Sequence, residues 1–168
     1  GVALLNDGKY GFGTEDSILT MTVCKCGGFP YYEAGEKIPQ FTYSLFPHGG
    51  GFRKGGVINE AYLLNRGFIT KKLGRQKGSL GEEYSFAKCL TDGVFIETIK
   101  LVEDGDGIIL RMYEAFKESK TATIVFGRKI HSAYICDLSE NELIAADITE
   151  NEVKFDIKPY EIITLKIK

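Results

Sequence analysis

The residue types that most often carry chemistry are present in this sequence, but their spacing does not form a catalytic motif. The two histidines, His48 and His131, lie far apart without a ligand-spaced partner, whereas a zinc enzyme usually takes two or three histidines with carboxylates. No serine lies in a Gly-x-Ser-x-Gly elbow. The 23 Asp and Glu residues always allow a carboxylate pair to be proposed, but spacing singles out none. The residues alone therefore predict no catalytic residue, no metal site and no cofactor in this chain.

Two glycine-containing segments resemble ligand loops only in part. The three glycines at 49–51 lack the Gly-Lys-Ser/Thr frame of a P-loop. Residues 104–107, Asp-Gly-Asp-Gly, resemble the start of a calcium loop, but Ala115 occupies the position where an EF-hand needs a carboxylate. The segment is therefore predicted to be a turn between two strands.

The four cysteines indicate reduced thiols. Cys24 and Cys26 form a Cys-x-Cys pair, whereas Cys89 and Cys136 stand alone, so the doubled Cys-x-x-Cys pattern of a metal knuckle is missing. A secreted disulfide scaffold would be shorter and richer in cysteine. An intracellular, cytoplasmic location is therefore expected.

Length and charge exclude several classes of protein. The chain has 168 residues, a net charge of −2, 43% hydrophobic and 26% charged residues, which favours a single globular domain over residues 1–168. Near-neutral charge without a basic block argues against a nucleic-acid partner. No apolar run reaches the ~18 residues of a membrane span, so no membrane partner is expected.

Short strands separated by turn signals recur along the chain and predict an all-β fold, an antiparallel β-sandwich. The Asp7-Gly8 pair between apolar runs is a strong hairpin signal. Apolar residues on both faces of 17–26 suggest an inner strand. The further predicted strands are residues 41–46, 94–102, 108–115, 121–126, 131–136, 151–156 and 162–167, of which 94–102 and 108–115 form the clearest hairpin.

Two segments depart from this pattern. Residues 57–64 have apolar side chains at helical spacing and predict a short helix. Residues 67–81 carry four basic residues and are predicted to be a loop or a weak edge hairpin, with a solvated surface favoured over an anion site. Because the sequence opens and closes within predicted strands, we expect a domain truncated at its N-terminus, the C-terminal fragment of a longer protein.

Six segments in colinear order resemble the C-terminal domain of α-mannosidases of glycoside hydrolase family 38. The opening GVALLNDGKYG is a stretch that recurs in that family. QFTYSLFPHGG at 40–50 and EAYLLN at 60–65 look like the family's FTYALYPH and EAYELN. The other matches are IKLVEDGDGIILRMYE at 99–114, DLSE at 137–140 and KPYEI at 158–162, which resemble VKLAEDGDGIILRLYE, DLLE and KPFEI.

The resemblance implies a fold and a division of labour. It implies a galactose-mutarotase-like β-supersandwich that supports a catalytic α/β barrel and a helical bundle of the same longer chain. It also implies that these absent parts hold zinc and the aspartate nucleophile of a retaining α-mannosidase. Mannose-containing carbohydrate is the expected ligand, and this chain alone is expected to be inactive.

The same resemblance places the turn after the first strand beside the sugar pocket. Asn6, Asp7, Lys9 and Tyr10 would then bind substrate, because a rigid tip with an acceptor, a donor and an aromatic face suits sugar hydroxyls. The alternative is that Asp7 and Gly8 only make the turn while Lys9 is solvated.

A second hypothesis is an autonomous carbohydrate-binding module. It requires an exposed aromatic platform, for which Tyr31, Tyr32, Phe41 and Tyr43 are candidates. These side chains are equally suited to a core or a domain interface.

Overall fold

The computed structural model describes residues 1–25, 29 and 40–168, which contain thirteen strands and one helix. The chain divides into two compact units, Gly1–Leu73 and Gly74–Lys168. The sheets are antiparallel, as the alternating sequence predicts. The prediction of an all-β antiparallel fold is confirmed, whereas the assignment of residues 1–168 to one domain stays a prediction.

Unit Gly1–Leu73 contains two small sheets and a helix. Its elements are β1 (Val2–Asn6), β2 (Phe12–Glu15), β3 (Ile18–Met21), β4 (Tyr43–Pro47) and α1 (Val57–Arg66). β1 pairs with β4, and β2 pairs with β3. The helix predicted at 57–64 is confirmed and extends two residues further.

The helix is bounded by two glycines in the left-handed region of φ. Gly56 before its first turn has φ 69°, and Gly67 after its last turn has φ 52°. The backbone N–H of Gly67 donates to the carbonyl of Leu63 at 3.2 Å and closes the C-terminus. Glu60 in the first turn and Arg66 in the last turn both match the helix dipole.

Unit Gly74–Lys168 is a two-layer sandwich. Its strands are β5 (Ala87–Cys89), β6 (Val94–Leu101), β7 (Ile108–Glu114), β8 (Lys120–Phe126), β9 (Ala133–Cys136), β10 (Glu142–Ala145), β11 (Asp147–Thr149), β12 (Glu152–Ile157) and β13 (Ile162–Ile167). One sheet has the order β10-β9-β13-β7-β6 and the other β11-β12-β8-β5. The hairpin predicted between 94–102 and 108–115 is confirmed as β6 and β7, which pair from Val94↔Glu114 to Leu101↔Ile108.

The core lies between these two sheets. Leu110, Met112 and Leu165 from the five-stranded sheet pack in one cluster with Ile124 and Phe126 from the other, all fully buried. Along β8 and β12, buried residues alternate with half-buried or exposed ones, which is the pattern of a sheet with one face in the core.

The expectation of an inner strand at 17–26 is wrong. β3 covers only four residues of the predicted strand 17–26 and pairs with β2, and its Ile18 and Leu19 are exposed, so it is not an inner strand. Cys26, at the end of that prediction, lies outside the described residues. The short strands β2, β5, β10 and β11 were not predicted, because three or four residues carry too little alternation to be recognised. Residues 67–81 contain no strand, so the loop alternative for them is correct.

Glu114, at the end of β7, is a buried carboxylate that joins two turns. It is 1% exposed. Its Oε1 accepts the backbone N–H of Phe116 at 2.7 Å, and its Oε2 accepts those of Lys117 at 2.8 Å and Tyr160 at 3.0 Å. Burial raises the pKa of Glu114, but the backbone donors of Tyr160, Phe116 and Lys117 outweigh it, and the net pKa is lowered.

Replacing Glu114 by Gln should destabilise the sandwich by about 2 kcal/mol near neutral pH, since hydrogen bonds to a charged acceptor contribute about 1.5–3 kcal/mol. Because the pKa of Glu114 is lowered in the folded state, this contribution is fully present at pH values above the ordinary pKa of 4.5. It is lost as the pH falls through the pKa of the folded state. Urea unfolding of wild type and Glu114→Gln between pH 3 and 7 measures the difference, with exposed Glu83→Gln as control. A constant difference across this range would contradict the assignment.

Candidate functional site

The candidate site is the loop that follows β1, residues 7–11, together with the segment that precedes β4. Asn6 is the last residue of β1 and lies opposite Tyr43, the first residue of β4. Its Oδ1 accepts the backbone N–H groups of Gly8 at 3.0 Å and Lys9 at 2.6 Å, which makes an Asx turn. Gly8 has φ 128°, which an L side chain rarely adopts. The predicted turn therefore forms, and Asn6 acts in it as a structural acceptor.

The hairpin expected around Asp7-Gly8 does not form. β1 pairs with β4, more than thirty residues later in the sequence, whereas β2 pairs with β3. The Asp-Gly signal predicts a reversal of the chain correctly, but it does not decide which strand pairs with β1. The five-residue register of β1 with β4 buries Leu5, and this pairing replaces the local hairpin.

Asp7 fixes the loop to the chain before β4. The N–H of Asp7 donates to the carbonyl of Thr42 at 3.2 Å, and the N–H of Thr42 donates to Oδ2 of Asp7 at 2.8 Å. The hydrogen bond from Thr42 lowers the pKa of Asp7, and the nearby Lys9 lowers it further. The side chain is thus held ionised at an exposed position.

A side chain from α1 holds the other end of the turn. Nδ2 of Asn65 donates to the carbonyl of Asn6 at 2.9 Å and to the carbonyl of Ala61, one turn back in the helix, at 2.9 Å. Asn65 closes the EAYLLN segment and belongs to the candidate site, although sequence reasoning did not include it. Its signal was its place in a quoted family motif. Thr42 was also missed, because its role appears only when β1 and β4 are paired.

The outer surface of the loop carries aromatic and cationic groups. Nζ of Lys9 lies 5.1 Å from the centre of the Phe41 ring, a cation–π contact. The rings of Phe41 and Tyr43 stack with centroids 6.2 Å apart. Tyr10 is 93% exposed. The loop and the neighbouring segment together present a fixed carboxylate, an ammonium donor and accessible aromatic faces. These groups can bind the hydroxyls and the C–H face of a polyol.

The four predicted substrate-binding residues thus lie on one segment but have different surroundings. Asn6 and Asp7 use side-chain oxygens to fix the backbone, and Lys9 is half-buried against Phe41. Tyr10 offers the largest open surface. Of the aromatic candidates for a binding platform, Phe41 and Tyr43 lie beside this loop, whereas Tyr31 and Tyr32 lie outside the described residues.

No group of three or more His, Cys, Asp or Glu side chains able to hold a metal occurs within 1–25, 29 and 40–168. The acidic turn after β6 is connected to the β9–β10 turn instead, because the N–H of Glu103 donates to Oε2 of Glu140 at 2.8 Å. The zinc that the resemblance implies was expected in a catalytic domain outside these residues, and that expectation stays a prediction.

The described cysteines have different environments. Cys89 is half-buried and Cys136 is buried, both as free thiols, and burial raises the pKa of each. Cys24 is exposed. Raised pKa values disfavour the reactive thiolate, so Cys89 and Cys136 behave as small apolar side chains.

The one helix of the described chain is too short and too polar to cross a membrane.

Comparison with known proteins shows which family this fold is similar to. Residues 93–165 match the model for the glycosyl hydrolases family 38 C-terminal beta sandwich domain. This region covers β6 to most of β13, including the core of the sandwich. The resemblance to the C-terminal domain of family 38 α-mannosidases is thereby confirmed.

Individual relatives extend the similarity over the whole chain. Alpha-mannosidase 2C1 of Homo sapiens is 31% identical over an alignment of 170 residues, which covers 98% of this chain and 16% of that protein. Alpha-mannosidase G of Dictyostelium discoideum is 31% identical over 122 residues, or 72% of this chain and 11% of that protein. Alpha-mannosidase 2C1 of Mus musculus is 29% identical over 98% of this chain. The chain spans about one sixth of the length of the 2C1 relatives.

Replacing Asn65 by Ala should loosen the loop without unfolding α1. Two hydrogen bonds disappear, one of them the link to the loop, at a cost of about 1 kcal/mol. Amide chemical shifts of Gly8 and Lys9 should change and their hydrogen exchange should accelerate. The matched control is Asn59→Ala, an exposed position of the same helix, which should leave these amides unchanged. Equal effects of the two variants on the loop would contradict a positioning role for Asn65.

Proposed function

We propose that this chain is the C-terminal β-sandwich part of a retaining, zinc-dependent α-mannosidase and that it hydrolyses α-mannosides only together with other domains of a longer polypeptide. The observation that carries the proposal is the colinear similarity of 98% of the chain to a relative named alpha-mannosidase. The match of residues 93–165 to the model of a C-terminal sandwich domain favours a role for this chain as a support for the catalytic domain.

In this proposal the chemistry takes place on an N-terminal catalytic domain, which is followed by a helical domain. A retaining glycosidase uses two carboxyl groups about 5 Å apart, one as nucleophile and one as acid and base. We assign both, and the zinc ligands, to that domain. The sandwich supplies a rigid support, since its core unites both sheets around fully buried side chains.

The proposed direct contribution of this chain is the loop at Asn6, Asp7, Lys9 and Tyr10. Three contacts hold its backbone, from Asn6, Thr42 and Asn65, so a group on the loop is offered to the sugar at little entropic cost. Lys9 would donate to a mannose hydroxyl, and Tyr10 would place its ring on the apolar face of the sugar. Asp7 would orient both by keeping the loop on Thr42.

We place the protein in the cytoplasm. Free thiols at Cys89 and Cys136 suit a reducing compartment.

The isolated 168-residue chain should show no turnover of 4-nitrophenyl α-mannoside in the presence of zinc, because the proposal places every catalytic carboxylate elsewhere. The longer polypeptide, assayed in parallel, should hydrolyse the substrate and retain the anomeric configuration, as followed by NMR. Turnover by the isolated chain at a rate comparable to that of the longer polypeptide would refute the division of labour.

In the longer polypeptide, Tyr10→Ala should lower kcat/KM about tenfold, since a lost contact of about 1.4 kcal/mol is tenfold in a rate or binding constant. Lys9→Ala should act in the same direction, and Asp7→Ala should do so by releasing Thr42. Thermal unfolding should change little for Tyr10→Ala because the side chain is exposed. Phe68→Ala, an aromatic that is 85% exposed in another loop, is the matched control. Unchanged kinetics in all three loop variants would remove the loop from the sugar site.

A second candidate function is an autonomous carbohydrate-binding module, and the stacked pair of Phe41 and Tyr43 is the observation that favours it. Tyr43 is 57% exposed, and Lys9 lies on the Phe41 ring. Calorimetric titration of the isolated chain with mannose oligosaccharides separates the two functions. A module binds when isolated and loses binding in Tyr43→Ala, whereas a supporting domain shows no saturable heat.

A further inference from the structure

An open groove lies at one end of the sandwich in unit Gly74–Lys168. Its volume is about 420 Å³. The end of β6, the start of β7, the β8–β9 connection and the end of β13 meet there. Its apolar lining comes from five side chains, namely Phe86, Leu101, Ile108, Ile130 and Ile167.

The apolar lining combines a firm base with an accessible wall. Ile130 and Ile167 are 5% and 3% exposed and belong to the core cluster, so the base of the groove does not depend on mobile side chains. Leu101 is 75% exposed at the end of β6. A large apolar side chain left open beside a core-lined groove is the arrangement expected where an apolar group binds.

The charged side chains of the lining are of one sign. Arg128, Lys129 and Lys168 line the groove, and none of the described side chains that line it is a carboxylate. Lys168 is paired with Glu142, with Nζ and Oε1 3.4 Å apart. Arg128 and Lys129 form no ion pair with any side chain of the described segments 1–25, 29 and 40–168. Two exposed cations are therefore available to an incoming anion.

We propose that this groove binds a small amphipathic anion, with an apolar body against Leu101 and Ile108 and an acidic group at Arg128 and Lys129. The volume lies within the range of about 300–1,000 Å³ found for small-ligand sites, whose walls are mostly apolar with a few polar groups. Because the described side chains of the lining include no carboxylate, the groove disfavours cations. This site is distinct from the carbohydrate loop and does not depend on the function proposed above.

Two dyes that differ in one charged group test the proposal. 8-Anilinonaphthalene-1-sulfonate carries a sulfonate on an anilinonaphthalene body, and N-phenyl-1-naphthylamine has the same body without the charge. Fluorescence titration of the folded chain should give saturable one-to-one binding of the sulfonate. The neutral dye should bind about fivefold more weakly, and added salt should weaken the binding of the sulfonate dye only.

Variants separate the two parts of the site. The double variant Arg128→Ala with Lys129→Ala should weaken binding of the sulfonate dye about fivefold and leave binding of the neutral dye unchanged. Leu101→Asp should weaken both dyes, and because Leu101 is exposed the fold should be retained, as checked by circular dichroism. The matched control is Lys71→Ala with Lys72→Ala, two exposed lysines of the 67–81 loop, which should change neither titration.

Three results would overturn the proposal. One is sulfonate binding that is equal in wild type and in the Arg128/Lys129 variant, which would indicate dye on unspecific apolar surface. Another is no saturable binding to the folded wild-type chain. The third is binding to this chain that disappears in the longer polypeptide, which would identify the groove as a covered interface between domains.

Discussion

The sandwich depends on the burial of one face of four strands against each other. β7 and β13 on one side and β8 and β12 on the other contribute side chains that are almost wholly inaccessible to water. Burying apolar surface contributes about 25 cal/mol per Å² and has no preferred direction, so the two sheets stay together only if the strand registers keep the core-facing side chains on one side. The registers are continuous for six residues in β8–β12 and in β7–β13. Glu114 then fixes the turns at the end of β7 with a charge that the core could not otherwise accept.

The candidate carbohydrate site depends on a different kind of contact. Its loop buries little, and short polar contacts define its shape, with Asn6, Thr42 and Asn65 each satisfying backbone or carboxylate groups. Such contacts contribute modestly to stability but fix direction well. The half-buried Lys9 and the open Tyr10 are thereby presented from a backbone that is held from three directions.

The amphipathic groove at the end of the sandwich uses the core directly. Its base consists of side chains that also stabilise the two sheets, whereas its cations come from the exposed connection between β8 and β9. A site of this construction is rigid at its apolar end and adjustable at its charged end, because long basic side chains keep their apolar stems on the surface while the charge stays in water.

The sequence by itself determined the long strands, the helix and the resemblance to a family. Alternation from 163 to 168 and helical spacing at 57–64 are local patterns that can be recognised without a structure. Long colinear motifs such as residues 99–114 are specific without any structure. Only the tertiary structure decided that β1 pairs with β4, that Asp7 and Asn65 meet at one loop, and that Arg128 lies beside Leu101. A turn signal reports a reversal of the chain but not the distant partner, since strand pairing is chosen by the total surface buried across the fold.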